Sequence, residues 1–180
     1  GENAVREPWR VAVALASQTA QISELPLHFS GVKERELAVV RSMLARGLNS
    51  PRTSSVGRLF DGVAALLGVC ARVDYEGQAA VELEYAAARE PRSEAYPIVL
   101  RDGMLDWTPM LERLIADLLE LQKEYPAELS TAVAERRKAL GGMAWKFHAA
   151  LAAGIVKVAL SGFREMPVLL TGGCFQNRLL

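Results

Sequence analysis

The carboxylate of Asp61 is the side chain in this sequence best placed to do chemistry, because its neighbours at helical spacing are small. Ser54, Gly57, Asp61, Ala64, Ala65 and Gly68 follow one another at the period of a helix. Beside them runs an apolar stripe of Val56, Leu59, Phe60, Val63, Leu66, Leu67 and Cys70, the face that a helix turns to a core. A glycine inside a helix costs about 1 kcal/mol relative to alanine, so Gly57 marks a place where something comes close. That body is either a neighbouring helix or a ligand whose hydroxyl groups are accepted by Asp61.

A second group opens the next helix with Tyr75-Glu76-Gly77-Gln78-Ala79-Ala80-Val81-Glu82. Gly77 at a helix start can bring backbone N–H groups up to an anion or a sugar, and Glu82 lies one turn further in. An ordinary acid favoured by the helix dipole explains Glu82 equally well. A third group closes the chain: Pro167-Val168-Leu169-Leu170 reads as a buried strand that runs into Gly172-Gly173 and the start of a helix. The two glycines clear the Cβ atoms that would keep a ligand from the strand end, and Asn177 offers both a donor and an acceptor. Tight strand-to-helix turns need glycine in any case, so the pair alone is a weak nucleotide signal.

Other reactive side chains are scattered. His28 and His148 are isolated, with no spacing that sets two ligands on one helix face, and no metal site is expected in this chain. Cys70 and Cys174 form no CxxC pair, and Cys174 has no histidine nearby in sequence to activate it. No disulfide is expected, and a cytoplasmic, reducing setting is.

The elements that must position these groups are mostly helices. Pro8 at a first-turn position starts a helix that reads through Gln21 to the Pro26 loop, and Lys33–Arg46 forms another that stops at Gly47. The loop 49–55 feeds a helix over Ser55–Leu67, and a fourth runs from Gly77 to before Pro91. Asp102-Gly103 between Tyr96–Leu100 and Met104–Trp107 predicts a β-hairpin. Thr108 or Pro109 then starts a helix to Lys123. Ser130 starts the last, which Gly141-Gly142 is expected to interrupt. The apolar run Met143–Leu160 carries Lys146, His148, Gly154 and Lys157 and is rich in alanine, which fits a buried core helix better than a membrane span; both lysines share one face and could reach solvent.

At 180 residues and 51% hydrophobic side chains the chain can bury an ordinary core. Lys plus Arg and Asp plus Glu number 21 each, so no global field draws it to nucleic acid or to an anionic membrane. Few strands among many helices point to a helix-dominated α/β lobe of something larger.

Taken together, three runs resemble one family closely: Asn49-Ser50-Pro51-Arg52-Thr53-Ser54-Ser55-Val56-Gly57-Arg58-Leu59-Phe60-Asp61, then Tyr75-Glu76-Gly77-Gln78-Ala79-Ala80-Val81-Glu82-Leu83-Glu84, then Gly172-Gly173-Cys174-Phe175-Gln176-Asn177-Arg178. With Arg6-Glu7-Pro8-Trp9-Arg10 as an opening motif, the chain resembles the C-terminal domain of the HypF carbamoyltransferases over nearly its whole length. The resemblance implies a partial actin-like (ASKHA, RNase H-like) lobe, residues 1–180 being the nucleoside-binding portion of a carbamoyltransferase domain. It implies an enzyme that turns carbamoyl phosphate and ATP into carbamoyl-adenylate and passes the carbamoyl group to the C-terminal cysteine of HypE, in the synthesis of the cyanide ligands of [NiFe] hydrogenases. By the same resemblance Asp61 and Glu82 would hold ribose hydroxyls, Gly77 and Gln78 would border the nucleoside, and Gly172, Gly173 and Asn177 would meet the adenosine and its first phosphate. No general base is assigned.

The family's metal-binding histidines would precede residue 1 and its metal-binding aspartate would follow residue 180, so a divalent metal belongs to the complete protein, and the segment by itself is expected to be inactive. Two other readings stand beside this one: a non-catalytic helical interaction module, and a small-molecule O-carbamoyltransferase, which the Ser54–Asp61 run resembles less.

Overall fold

The structure, a computed structural model, describes residues 2–19, 27–91, 94–126, 132–162 and 167–180. The chain divides into two compact units, Gly1–Leu83 and Glu84–Leu180. Helices dominate both, and the two-stranded sheet of the second unit is the only sheet among the described residues. The helix-dominated α/β expectation holds at that level.

In the first unit a short helix α1 (Glu2–Arg6) precedes α2 (Pro8–Ala16), followed by α3 (Glu34–Ala45) and α4 (Val56–Leu66). Helix α5 (Gln78–Ala88) begins in this unit and ends in the next. Pro8 starts α2 as expected, but the helix stops at Ala16 and Ser17–Thr19 turn out of it, short of the predicted Gln21; residues 20–26, with the Pro26 loop, fall outside the described residues. Glu36 caps α3 by accepting the Lys33 N–H at 2.9 Å, and the left-handed Gly47 (φ 64°) ends it. Ser55 Oγ accepts the Arg58 N–H at the start of α4.

Helices α2 and α4 pack against each other and supply the core, with Trp9, Ala12 and Val13 of α2 and Phe60, Val63, Ala64 and Ala65 of α4 buried. Glycine 62 allows that packing. A Cβ there would run into Leu15 Cδ1 and lie 3.1 Å from Val11 Cγ1. Glycine 57, the predicted point of close approach, meets nothing but its own cap, Ser55 Oγ at 3.6 Å. No neighbouring helix closes on Gly57; the close helix approach falls at Gly62 instead. The Trp9 N–H donates to Ala71 O (3.3 Å) and the Val73 N–H to Arg6 O (3.0 Å), which ties the α4–α5 connection to the start of α2. The Glu7 carboxylate takes both Arg10 and Arg72 beside these bonds.

In the second unit β1 (Val99–Arg101) and β2 (Met104–Asp106) form the expected hairpin, with Val99 opposite Asp106 and Arg101 opposite Met104. Its turn residues Asp102 (φ 49°) and Gly103 (φ 76°) both take positive φ, the geometry that matches the twist of a two-residue hairpin. The strands are shorter than the apolar runs suggested. Helix α6 (Thr108–Glu124) follows, and then α7 (Val133–Gly162); the predicted start at Ser130 lies outside the described residues.

Helix α7 runs through Gly141-Gly142 without the predicted interruption. Glycine 141 serves packing. A Cβ on it would lie 2.9 Å from Ala86 O and 2.8 Å from Glu90 Cγ. At Gly154 the hairpin side chains Ile98 and Leu105 close on α7 in the same way. By length and composition α7 could cross a membrane. Its Ala144, Phe147, His148, Ala150 and Leu151 are buried, with α6 and the hairpin packed along it.

Both lysines of α7 turn back on the protein. Lys157 donates to Ile98 O at 2.9 Å, while Lys146 reaches Glu94 (3.3 Å) and Asp117 (3.4 Å). Asp117 also accepts the Tyr96 hydroxyl at 2.9 Å and pairs with Arg113 at 2.9 Å. Burial first, and then the Asp117 charge, push the Tyr96 phenol upward, so it stays a donor.

Val168–Leu170 is the clear departure from expectation. It pairs with no strand among the described residues, and Val168, Leu169 and Leu170 are 55%, 84% and 55% exposed. The helix expected after the glycines is one 3-10 turn, Gly173–Gln176.

Gly141→Ala should lower stability by about 1–3 kcal/mol in a denaturant melt, because the atom in the way is a backbone oxygen. Gly57→Ala should be neutral or gain up to about 1 kcal/mol, because nothing crowds it and alanine is the better helix former. The reverse order would show that the glycine of close approach is misassigned.

Candidate functional site

Asp61 sits on α4 next to Gly62 and is buried, 4% exposed. Its partner is Arg58, one turn earlier, whose Nη1 lies 2.7 Å from Asp61 Oδ2. The two atoms are close but not aligned as a hydrogen bond, and neither has a hydrogen-bond partner in the structure. Burial raises the Asp61 pKa to about 6, against the Arg58 charge that lowers it; the Glu76 carboxylate raises it further. A carboxylate in that condition has a lone pair to give and poor internal compensation for holding it.

Glu82, also in the first unit, lies on α5. Its Oε1 accepts the Gln78 amide at 2.7 Å, and Gln78 Oε1 accepts the Asp74 N–H at 2.8 Å, which locks the first turn of α5. Cys70 lies among the acids. Its thiol is pushed up to about 11 by burial first and then by Glu82, with Asp61 adding to it. Cys70 thus feels the charges of both Glu82 and Asp61, and Gln78 is bonded to Glu82. Gly77 (φ 88°) is exposed and uncrowded; its glycine is required by the left-handed turn that starts α5.

The remaining predicted residues belong to the second unit. Gly172 takes φ 95° and ψ 163°, a conformation essentially confined to glycine. Neither Gly172 nor Gly173 has a heavy atom within 4 Å of where a Cβ would stand, so the backbone there is open to approach. Asn177 is engaged internally: its Nδ2 lies 3.1 Å from His148 Nε2, and its Oδ1 accepts the Leu179 N–H at 2.9 Å. Cys174 is partly exposed within the 3-10 turn.

Sequence reasoning missed Arg58 and set His148 aside. Arg58 was legible as a basic residue three positions before Asp61 on one helix. His148 carried no signal, because its partner lies far along the chain. Among the described residues no three His, Cys, Asp or Glu side chains gather in a way that could hold a metal ion.

Comparison with known proteins places this arrangement. Residues 1–180 match the family model described as carbamoyltransferase, Kae1-like domain, second subdomain. The Cupriavidus necator protein named carbamoyltransferase HypF homolog is 37% identical over 190 residues, covering all of this chain and 45% of that protein. Carbamoyltransferase HypF of Rhizobium leguminosarum bv. viciae is 36% identical over 183 residues, covering all of this chain and 21% of that protein. The chain thus spans less than half the length of these relatives. A crystal structure of full-length HypF in its phosphate- and nucleotide-bound form superposes with a TM-score of 0.69 at 28% identity, over 98% of this chain and 26% of that one. The sequence match along the whole chain and the shared fold agree, and this chain belongs to the carbamoyltransferase family as the second subdomain of its Kae1-like domain.

Proposed function

We propose that the chain is the nucleoside-binding portion of a carbamoyltransferase that uses carbamoyl phosphate and ATP by way of carbamoyl-adenylate. The observation that carries this is the Asp61–Arg58 pair: a buried carboxylate oxygen and a buried guanidinium nitrogen in contact but without aligned hydrogen bonds. Ribose hydroxyls fit that deficit, since each can donate to a carboxylate and accept from a guanidinium. Glu82, held by Gln78, is the second acid for the same sugar, with Gly77 and Gln78 bordering the nucleoside. The open Gly172-Gly173 backbone and Asn177 face the adenosine and its first phosphate in this reading. Family membership supports it, as does the nucleotide in the solved HypF structure.

The acceptor in this reading is the C-terminal cysteine of HypE, and the product serves cyanide-ligand synthesis in [NiFe] hydrogenases. The thiolate sulfur attacks the carbamoyl carbon, the C–S bond forms, and the C–O bond to the adenylate phosphate breaks with AMP leaving. An acyl-adenylate is already activated, so the protein's share is orientation and electrostatics. Asp61 and Glu82 supply binding energy that fixes the adenylate, and no proton transfer is asked of them. Among the described residues no three His, Cys, Asp or Glu side chains gather to hold a divalent metal, which on this reading belongs to the complete protein. The helical lobe belongs on this reading to an actin-like (ASKHA) domain completed by segments outside the chain.

Binding of adenosine to the complete protein, followed by calorimetry between pH 5 and 8, tests the proposal. Adenosine carries no phosphate to titrate, so the profile reports the protein. Affinity should fall about tenfold per pH unit below about 6, as Asp61 protonates. Asp61→Asn should weaken binding at pH 7 by about tenfold or more and flatten the profile. Unchanged affinity in this variant would remove the ribose role.

Stability should show the same group with the opposite sign. The folded pKa of Asp61 lies above its ordinary 3.8, so its favourable contribution is present at pH 4 and is lost as the pH rises through about 6. Asp61→Asn should therefore gain on the wild type between pH 4 and 7, by on the order of 2 kcal/mol in urea melts. A difference that does not change with pH would mean that the carboxylate is not desolvated.

A further inference from the structure

The Gly172–Asn177 turn is fastened at one end by a chain of hydrogen bonds whose donors and acceptors determine one another. His148, 1% exposed on α7, lies with Nδ1 2.7 Å from Ala144 O, its own helix carbonyl one turn back. A carbonyl only accepts, so Nδ1 carries the proton, and in the neutral ring Nε2 is left with a lone pair. Burial lowers the His148 pKa and favours that neutral form, against the Ala144 hydrogen bond and the Glu84 charge, which raise it. The lone pair can only take an N–H, which turns Asn177 Nδ2 toward the ring and Oδ1 away from it. The opposite side agrees independently: Oδ1 accepts the Leu179 N–H at 2.9 Å. The next residue is tied as well, the Arg178 N–H donating to Glu84 Oε1 on α5 at 3.2 Å.

Upstream, Val168–Leu170 is extended, exposed and unpaired among the described residues. The 3-10 bonds Phe175 N–H to Gly172 O and Asn177 N–H to Cys174 O make the turn stiff within itself. Among the described residues, the bonds that tie the turn to α5 and α7 lie at its downstream end. We propose that His148 is the positioning residue for this turn: by accepting the Asn177 amide it fixes where the open Gly172-Gly173 backbone stands and leaves the second Nδ2 proton of Asn177 for a ligand. The inference rests on the proposed role of this turn at the nucleotide's adenosine and first phosphate.

The test uses the complete protein, with AMP as the probe in calorimetry and tryptic cleavage after the exposed Arg178, read by mass spectrometry, as a gauge of the fastening. His148→Leu should weaken AMP binding about five- to tenfold, Asn177→Ala at least as much, and the double variant no more than Asn177→Ala alone. His148→Gln, whose amide oxygen can accept the same proton, should recover part of the loss. Cleavage after Arg178 should speed up severalfold in His148→Leu and slow again in His148→Gln. Weakened AMP binding in Asn177→Ala with wild-type binding in His148→Leu overturns the inference and leaves the nucleotide reading standing. Wild-type AMP binding in Asn177→Ala removes the nucleotide reading of the turn, and the cleavage rates then judge the fastening by themselves. Should His148→Leu fail to fold, Asn177→Ala gives the cleavage comparison at a partly exposed position, and an unchanged rate there overturns the proposal.

Discussion

The close seating of α2 on α4 is the constraint on which the first unit depends. Leu15 and Val11 occupy the space in which any side chain at position 62 would begin, so α4 is pressed against α2 at that turn. Asp61, the adjacent residue, is itself buried. Pressed out of water, the carboxylate loses hydration that Arg58 only partly replaces, and its affinity for a proton rises. A carboxylate on an exposed helix would have an ordinary pKa and no unmet demand for donors. The raised proton affinity of Asp61 thus comes from its burial.

The second unit solves a different problem, that of holding a two-stranded hairpin that could not stand alone. Helix α7 does so through two kinds of contact. Gly154 lets Ile98 and Leu105 sit directly on the helix, while Lys146 and Lys157 use their long side chains to reach Asp117, Glu94 and Ile98 O. Tyr96 shares Asp117 with Lys146, and its N–H also donates to Lys146 O. The lysines, of which Lys157 is exposed as expected, are also structural ties, since their ammonium groups find carboxylate and carbonyl partners on the protein.

Much of the helical framework was legible because its punctuation is local. Pro8, Ser55, Gly47 and Asp102-Gly103 act on backbone groups within a few residues of themselves, and each element begins or ends where they stand. Glycine was the unreliable sign, because it answers three different needs. At Gly77 and Gly172 it supplies a backbone angle, at Gly62 and Gly141 it makes room for a neighbour, and at Gly57 it does neither. A sequence shows the missing Cβ and not the reason for its absence. Val168–Leu170 was misjudged for a related reason: an apolar run has strand character only if other strands lie alongside it. Type and spacing singled out Asp61 and Glu82 but left their roles to the family resemblance, whereas the link from His148 to Asn177 joins residues far apart in sequence and could come only from the fold.

The position of Cys70 among the acids divides the thiol chemistry of the chain in two. With its pKa near 11, only about one Cys70 in ten thousand is a thiolate at pH 7, and burial shields even that fraction. An electrophile brought into that neighbourhood, whether an alkylating reagent or an activated acyl group, meets a sulfur that does not compete for it. Cys174, partly exposed within the 3-10 turn, is left as the thiol a reagent can reach. A label attached there would report on the Gly172–Asn177 turn from inside it, with the buried cysteine silent in the background.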